Sequence, residues 1–138
     1  MAAGVDLRSY LVADTTGVYS LVASRVYQNS VPSDATLPFV WFRRRGMEFL
    51  DILGESEPTP WREFFDFECV DDDIDGADAL GDAVRSRLQG VSGLLPTSTG
   101  NTYQWVDVND QSDDYIPRNM AADEMLHVIS LDIEVTNQ

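Results

Sequence analysis

The C-terminal segment alternates apolar and polar residues with a period of two. Ile129, Leu131, Ile133 and Val135 alternate with Ser130, Asp132, Glu134 and Thr136. Successive side chains of a β-strand point to opposite faces, so this pattern predicts a strand with one buried face. Residues 61–70 repeat it, with Trp61, Phe65, Phe67 and Cys69 on one side. Two half-buried strands require a second layer to cover them.

Residues 75–89 carry a helical period instead. Ala77, Leu80, Val84 and Leu88 are spaced by three or four residues, which places them on one stripe of a helix. Gly90 is the expected C-terminal stop. Two shorter helices are predicted, over residues 6–15, with Leu7, Tyr10 and Leu11 on one face, and from residue 18 to residue 24.

Three further strands complete the expected sheet. They cover residues 25–27, residues 37–42, and residues 103–108. Because residues 37–42 are continuously apolar, we expect this strand to be buried on both faces and to end at the arginines that follow. Residues 93–102 and 109–123 are predicted to be long loops, and such loops usually contact another molecule.

The interleaved strands and helices predict an α+β fold. We expect a mostly antiparallel sheet with one long helix and short N-terminal helices packed on one face. The chain has 138 residues, 43% of them hydrophobic. This length is typical of one domain, so residues 1–138 are predicted to form a single domain with a substantial core.

The charge is strongly unbalanced. Asp and Glu total 24 against nine Lys and Arg, for a formal charge of −15, and all nine cations are Arg. Such a surface lacks the cations that bind phosphate, so tight DNA binding and attachment to anionic membranes are disfavoured. The chain contains no long apolar run and begins without a recognisable export signal, which predicts a soluble protein.

The sequence gives no positive sign of catalysis. Cys69 and His127 are the only cysteine and histidine, so neither an internal disulfide nor a cysteine-based zinc cluster can form. Each lies in a strand-like alternation, where packing explains it better than a nucleophilic pair. Gly-rich phosphate loops and nucleophile elbows are absent from the sequence. We therefore expect no enzyme activity and no cofactor.

An acidic cluster precedes the long helix. Asp71, Asp73, Asp75, Gly76 and Asp82 match positions 1, 3, 5, 6 and 12 of a calcium-binding EF-hand loop. Position 12 is Asp rather than the bidentate Glu, and a strand rather than a helix precedes the loop. The alternative is that these carboxylates cap the helix and complement its dipole. The helix-capping interpretation is favoured, and the four aspartates remain weak metal-ligand candidates.

The only basic cluster consists of Arg43, Arg44 and Arg45. It is either a solvated strand end or a set of inter-subunit salt bridges, because Arg binds carboxylates bidentately. The second interpretation adds further inter-subunit candidates from the long polar segment: Asp113, Asp114, Tyr115 and Arg118.

The order of elements resembles the tail-terminator, or tail-completion, family of long-tailed bacteriophages. A short N-terminal helix is followed by residues 18–22, Arg25-Val26-Tyr27, a Pro-containing loop and Leu37-Pro38-Phe39-Val40. The later strand, the Asp-introduced helix ending in Leu88-Gln89-Gly90 and the final strand continue the plan over nearly the whole chain. Only the Arg25-Val26-Tyr27 and Leu37-Pro38-Phe39-Val40 blocks are moderately specific.

The resemblance implies a structural virion protein without catalytic residues. Such a protein forms a ring, usually a hexamer, at the head-proximal end of the tail tube. It ends tube polymerisation and joins the tail to the neck. The implied partners are other copies of itself, the tail tube protein and a neck or head-completion protein. DNA passes through the lumen without specific binding. The implied location is the virion tail or neck, after assembly in the host cytoplasm.

Two alternatives come from other classes. The acidity also suits a DNA-mimicking inhibitor of a DNA-binding protein, although a mimic would array carboxylates along exposed helices. A calcium-dependent binding module is the other alternative, and it depends wholly on residues 71–82.

Overall fold

The structure is a computed structural model that describes residues 3–13, 17–49, 61–91, 93–94, 102–117 and 125–137. Its helices are α1 (Ala3–Ala13), α2 (Val18–Val22) and α3 (Ile74–Leu88). Its strands are β1 (Val26–Gln28), β2 (Phe39–Phe49), β3 (Trp61–Asp71), β4 (Gly93–Leu94), β5 (Thr102–Pro117) and β6 (Met125–Asn137). None of the helices in these ranges is long and apolar enough to cross a membrane.

The six strands form one sheet in the order β1-β2-β3-β6-β5-β4. All neighbouring pairs are antiparallel except β1 and β2, which run parallel. The helices pack on one face of this sheet, which confirms the predicted α+β fold. We call the opposite face the open face.

The core lies between the sheet and the helices. Phe42 stacks on Phe67 with ring centroids 4.5 Å apart, and Phe65 meets both rings edge to face. The alternating apolar residues of β3 and β6 on the predicted core face are buried, except Trp61 at the start of β3, which is only partly buried. Burial of such side chains is the main favourable term in folding, at about 25 cal/mol per Å² of apolar surface.

Helix α3 is positioned by its predicted stripe. Ala77, Leu80, Val84 and Leu88 are all buried, and Gly90 adopts a φ of 79° just beyond the helix. Gly81 lies against Ile129 of β6 so closely that an added Cβ would approach the Ile129 Cγ2 atom to 2.8 Å. This glycine lets the helix approach the sheet.

Helix α1 is held by long-range contacts as well as by its apolar face. Leu7 and Leu11 are buried, as predicted. Arg87 of α3 donates to the Tyr10 carbonyl oxygen at 3.0 Å and lies over the Tyr10 ring at 3.7 Å from its centroid. Arg8 donates to the Val26 carbonyl oxygen at 2.7 Å, which joins α1 to β1.

Two predictions about β2 are wrong. The strand does not end at the arginines but continues to Phe49, because residues 43–49 pair with β3. It is also not buried on both faces. Val40 and Phe42 are buried under the helices, whereas Phe39 and Trp41 are only partly covered on the open face.

The predicted loops also differ from the structure. Strand β5 continues through residues 109–117, which pair with residues 125–132 of β6, so this part of the expected polar connection is a hairpin strand. Residues 118–123 lie outside the described ranges. Within the other predicted loop, residues 93–94 form β4 and Thr102 begins β5. A segment without apolar alternation can thus form a strand when its backbone hydrogen-bonds across a hairpin.

Candidate interaction surface

The three consecutive arginines lie in the middle of β2. Arg43 is opposite Asp66 of β3 on the open face, and Arg44 is opposite Phe65 on the helix-covered face. A β-bulge between Arg44 and Gly46 inserts Arg45 as an extra residue. Bulges redirect side chains, and this one places the Arg45 guanidinium on the open face with Asp66.

Arg45 joins three strands within one chain. It donates to Asp66 Oδ1 at 2.8 Å and to Asp132 Oδ1 at 3.1 Å, and it lies 5.7 Å from the centroid of the Phe64 ring. Slight burial opposes the charged form, but the carboxylates of Asp132 and Asp66 outweigh it and raise the pKa of Arg45. These ion pairs are intramolecular, and the inter-subunit role of Arg45 stays a prediction.

Arg44 reaches a buried carboxylate that sequence analysis missed. Its Nη1 atom lies 3.8 Å from Oε2 of Glu63, which is only 1% exposed. Glu63 also accepts a hydrogen bond from Trp61 Nε1 at 3.0 Å. The only sequence signal was that Glu63 occupies a core-facing position in the alternation of β3. Buried polar groups are costly without hydrogen-bond or charge partners, and Arg44 and Trp61 serve as these partners for Glu63.

The predicted acidic candidates lie at the other side of the sheet. Residues 109–114 of β5 are six consecutive exposed positions, among them Asp113 and Asp114, which pair with Ile129 and Val128 of β6. The Tyr115 backbone pairs with His127. The Tyr115 side chain and all of Arg118 lie outside what the structure describes. Strands β3 and β6 separate these aspartates from β2, so the fold does not bring them to Arg43 or Arg44 of the same chain.

The centre of the open face is a shallow concave region of about 340 Å³. Charged and hydroxyl side chains provide most of its lining: Arg43, Arg45, Asp66, Glu68, Asp110, Ser112, Ser130 and Asp132. Trp41 adds an aromatic side chain at the β2 side. The arginines are on β2 and the acidic residues are on β3, β5 and β6. The open face is therefore polarised, with positive charge near one edge and negative charge toward the other.

The acidic residues 71–82 are distributed along a strand end and a helix. Asp73 is the N-cap of α3 and accepts a hydrogen bond from the Asp75 backbone N–H at 3.4 Å. Asp82 lies on a later turn of α3, where it accepts from Arg85. Partial burial, together with Asp72 and Asp73, raises the pKa of Asp71. Among the described residues, no three His, Cys, Asp or Glu side chains converge as a metal site.

Cys69 is buried in the core between the sheet and the helices. Burial and then the nearby Glu68 carboxylate raise the pKa of the Cys69 thiol, which keeps it protonated. A protonated, inaccessible thiol is a poor nucleophile. Cys69 of β3 pairs with Ile129 of β6, whereas His127 of β6 pairs with Asp71 of β3.

Comparison with known proteins gives a match at the level of fold. No protein-family model matches the chain, and no curated protein does. A chain in the solved structure "Virion of native gene transfer agent (GTA) particle" superposes with a TM-score of 0.65 at 18% sequence identity. The match covers 95% of this chain and 90% of that chain. This protein therefore shares its fold, over nearly its full length, with a component of the gene transfer agent virion.

Proposed function

We propose that this protein is a structural component of a phage-like virion that forms a ring at the head-proximal end of the tail tube. The ring ends tube polymerisation and joins the tail to the neck. One observation carries the proposal: the fold matches a chain of a gene transfer agent virion along 95% of the sequence. The element order that resembles the tail-terminator family supports the specific position in the particle.

The charge of the protein suits a ring through which DNA moves. Each copy carries −15, so a hexamer carries −90 by multiplication. Most non-specific affinity for DNA comes from cationic side chains that displace counterions from the phosphates. Acidic walls displace none and therefore bind DNA weakly. A DNA conduit with these walls allows the genome to slide.

The same charge makes the isolated ring weak. Repulsion between copies opposes assembly and must be offset by contacts at the subunit joints. At about 0.15 M ionic strength the screening length is about 8 Å, so added salt reduces repulsion across a lumen more than attraction between groups in contact. We expect monomers or small oligomers at low salt and a growing ring population as salt rises.

Two experiments test this proposal. Native mass spectrometry over a salt series measures the oligomeric state. The expected result is one ring size whose population increases with salt. Electron microscopy of particles carrying a tagged copy locates the protein, with density expected at the junction of tail and neck. A protein that is monomeric at every salt and protein concentration, and absent from that junction, would overturn the proposal.

A further inference from the structure

Two edge segments of the sheet have no strand beside them among the described parts of the chain. Strand β1 covers β2 only as far as Phe42, so residues 43–49 form the first open edge. Strand β4 pairs with residues 102–103 of β5, and Gly90 and Val91 bond to Val106. The Gln89 side chain then accepts from the Val108 N–H at 2.9 Å. Residues 109–114 form the second open edge.

These edges carry opposite charge. The β2 edge contains three arginines and one glutamate, Arg43, Arg44, Arg45 and Glu48, for a net charge of +2, and the β5 edge contains three aspartates, Asp110, Asp113 and Asp114, for a net charge of −3. Pairing of two β2 edges would place arginines against arginines, and pairing of two β5 edges would place aspartates against aspartates. Like charges opposite each other on paired strands are destabilising. Only the pairing of a β2 edge with a β5 edge brings edges of opposite net charge together.

We propose that the β2 edge of one copy pairs with the β5 edge of the next copy, so that the sheets continue across the subunit joint. This inference rests on the proposed ring and specifies how its joints form. An edge strand offers a row of backbone donors and acceptors to another chain. Because the two edges differ, the contact is head to tail, which is the type that closes into rings.

The sheet topology fixes the direction of this pairing. β2 and β6 run in one direction, and β3 and β5 run in the other. When a neighbouring sheet continues this one, its β5 lies antiparallel to β2. The neighbour is also offset along the strands, because β1 blocks the β2 edge up to Phe42.

One register sets two of the arginines opposite two aspartates and also matches side-chain direction. With Arg43 opposite Asp114 of the next copy, both side chains lie on the open face. Arg44 is then opposite Asp113, and both lie on the helix-covered side, as the internal pairing shows. In this register the neighbour is offset by about four residues, or about 13 Å at 3.3 Å per residue.

Charge reversal provides the test. The β2-edge variant is Arg43→Glu, which spares the contact of Arg44 with buried Glu63. The β5-edge variant is Asp114→Arg, which replaces the residue opposite Arg43 and changes the charge of each copy from −15 to −13, because the exchange adds two positive charges. We expect each variant alone to associate at least about tenfold more weakly than wild type. An equal mixture of the two should restore rings, with alternating copies.

Helix α3 supplies matched controls. Arg85→Glu repeats the first charge change, and Asp78→Arg repeats the second, both at exposed positions away from both edges. If only net repulsion limits assembly, the less acidic β5-edge variant should form rings more readily than wild type. Edge pairing predicts the opposite. Circular dichroism and urea unfolding establish that every variant is folded before native mass spectrometry measures ring fractions.

The outcomes separate this inference from the proposed ring. Wild-type rings, loss in both edge variants and rescue in the mixture support edge pairing. Wild-type rings with edge variants that behave like their controls, or without rescue in the mixture, would overturn edge pairing and leave the ring intact. A wild-type protein that stays monomeric under all conditions would overturn both.

Discussion

The buried polar side chains show how individual residues connect distant parts of the fold. Asp6 of α1 and Glu63 of β3 are both about 1% exposed or less. The Tyr103 hydroxyl of β5 donates to Asp6, so one hydrogen bond joins the N-terminal helix to a strand 97 residues later. A buried polar group left without a partner costs more than an ordinary hydrogen bond contributes.

Removing the Tyr103 hydroxyl should therefore destabilise the protein. For Tyr103→Phe we expect the free energy of unfolding to fall by about 1–3 kcal/mol, because the buried Asp6 carboxylate loses a donor. Urea unfolding measures this change. Tyr19→Phe is the matched control, since Tyr19 is 40% exposed, and it should change stability by less than about 0.5 kcal/mol. Equal effects of the two substitutions would contradict this assignment.

The Cys69 thiol should make stability depend on alkaline pH. An unfolded thiol titrates near pH 8.5, whereas burial raises the pKa of the native thiol far above this value. Above about pH 8.5 the unfolded state loses a proton that the native state retains, so stability is complete below this pH and falls as pH rises. The expected slope is about 1.4 kcal/mol per pH unit. Urea unfolding of wild type and Cys69→Ala between pH 7 and pH 10 measures it, and identical slopes would refute it.

At the scale of elements, α3 is positioned by its cap and by its close approach to β6. Asp73 caps the N-terminus, Gly90 follows the C-terminus, and Gly81 allows contact with Ile129. The cap and the stop are local features with known residue preferences. The contact at Gly81 depends on a residue 48 positions away, so it belongs to the tertiary structure.

Gly81→Ala tests the close approach. Alanine favours a helix over glycine by about 1 kcal/mol, but overpacking a core costs about 1–3 kcal/mol. A Cβ at 2.8 Å from buried Ile129 should make the net effect destabilising. Gly76→Ala is the control, because its new Cβ meets the partly buried Asp71 side chain, which can rotate away, and not a buried core residue. Thermal unfolding should rank Gly76→Ala above wild type and Gly81→Ala below it, and the reverse order would contradict the proposed packing.

Asp73 should act as a helix cap and not as a cation ligand. Asp73→Ala should cost about 0.5–2 kcal/mol through loss of the cap, whereas Asp78→Ala, an exposed mid-helix change, should not destabilise. Calorimetric titration with calcium should show no saturable binding, because helix α3 includes the residues that an EF-hand loop would have to wrap. A one-site binding isotherm that disappears in Asp73→Ala would reverse this interpretation.

At the scale of the whole molecule, charge affects association in two ways, through the net charge and through its local distribution. A formal charge of −15 repels other polyanions, while the distribution of Arg on β2 and Asp on β5 gives the two sides of the sheet opposite local character. Long-range repulsion depends on net charge, whereas the preference for a partner surface depends on local complementarity.

DNA binding should be absent at moderate salt. Each phosphate contact requires a cation, and Arg45 is already paired with Asp66 and Asp132. Mobility-shift assays at low and physiological ionic strength test this expectation with duplex DNA. A shifted band whose affinity falls steeply with salt would show that the local arginines outweigh the net charge.

The sequence by itself determined the elements whose periodicity follows from backbone geometry. The alternation in β3 and β6 and the stripe of α3 correctly predicted the buried side chains except Trp61, which is only partly buried, because a strand or helix fixes side-chain direction locally. Tertiary structure decided where β2 and β5 end, since Arg43–Arg45 and residues 109–117 become strands through pairing with neighbouring strands. It also decided that Asp6 meets Tyr103, that Glu63 meets Arg44 and that Arg45 meets Asp66 and Asp132, because these partners lie in distant parts of the chain and meet only in the folded protein.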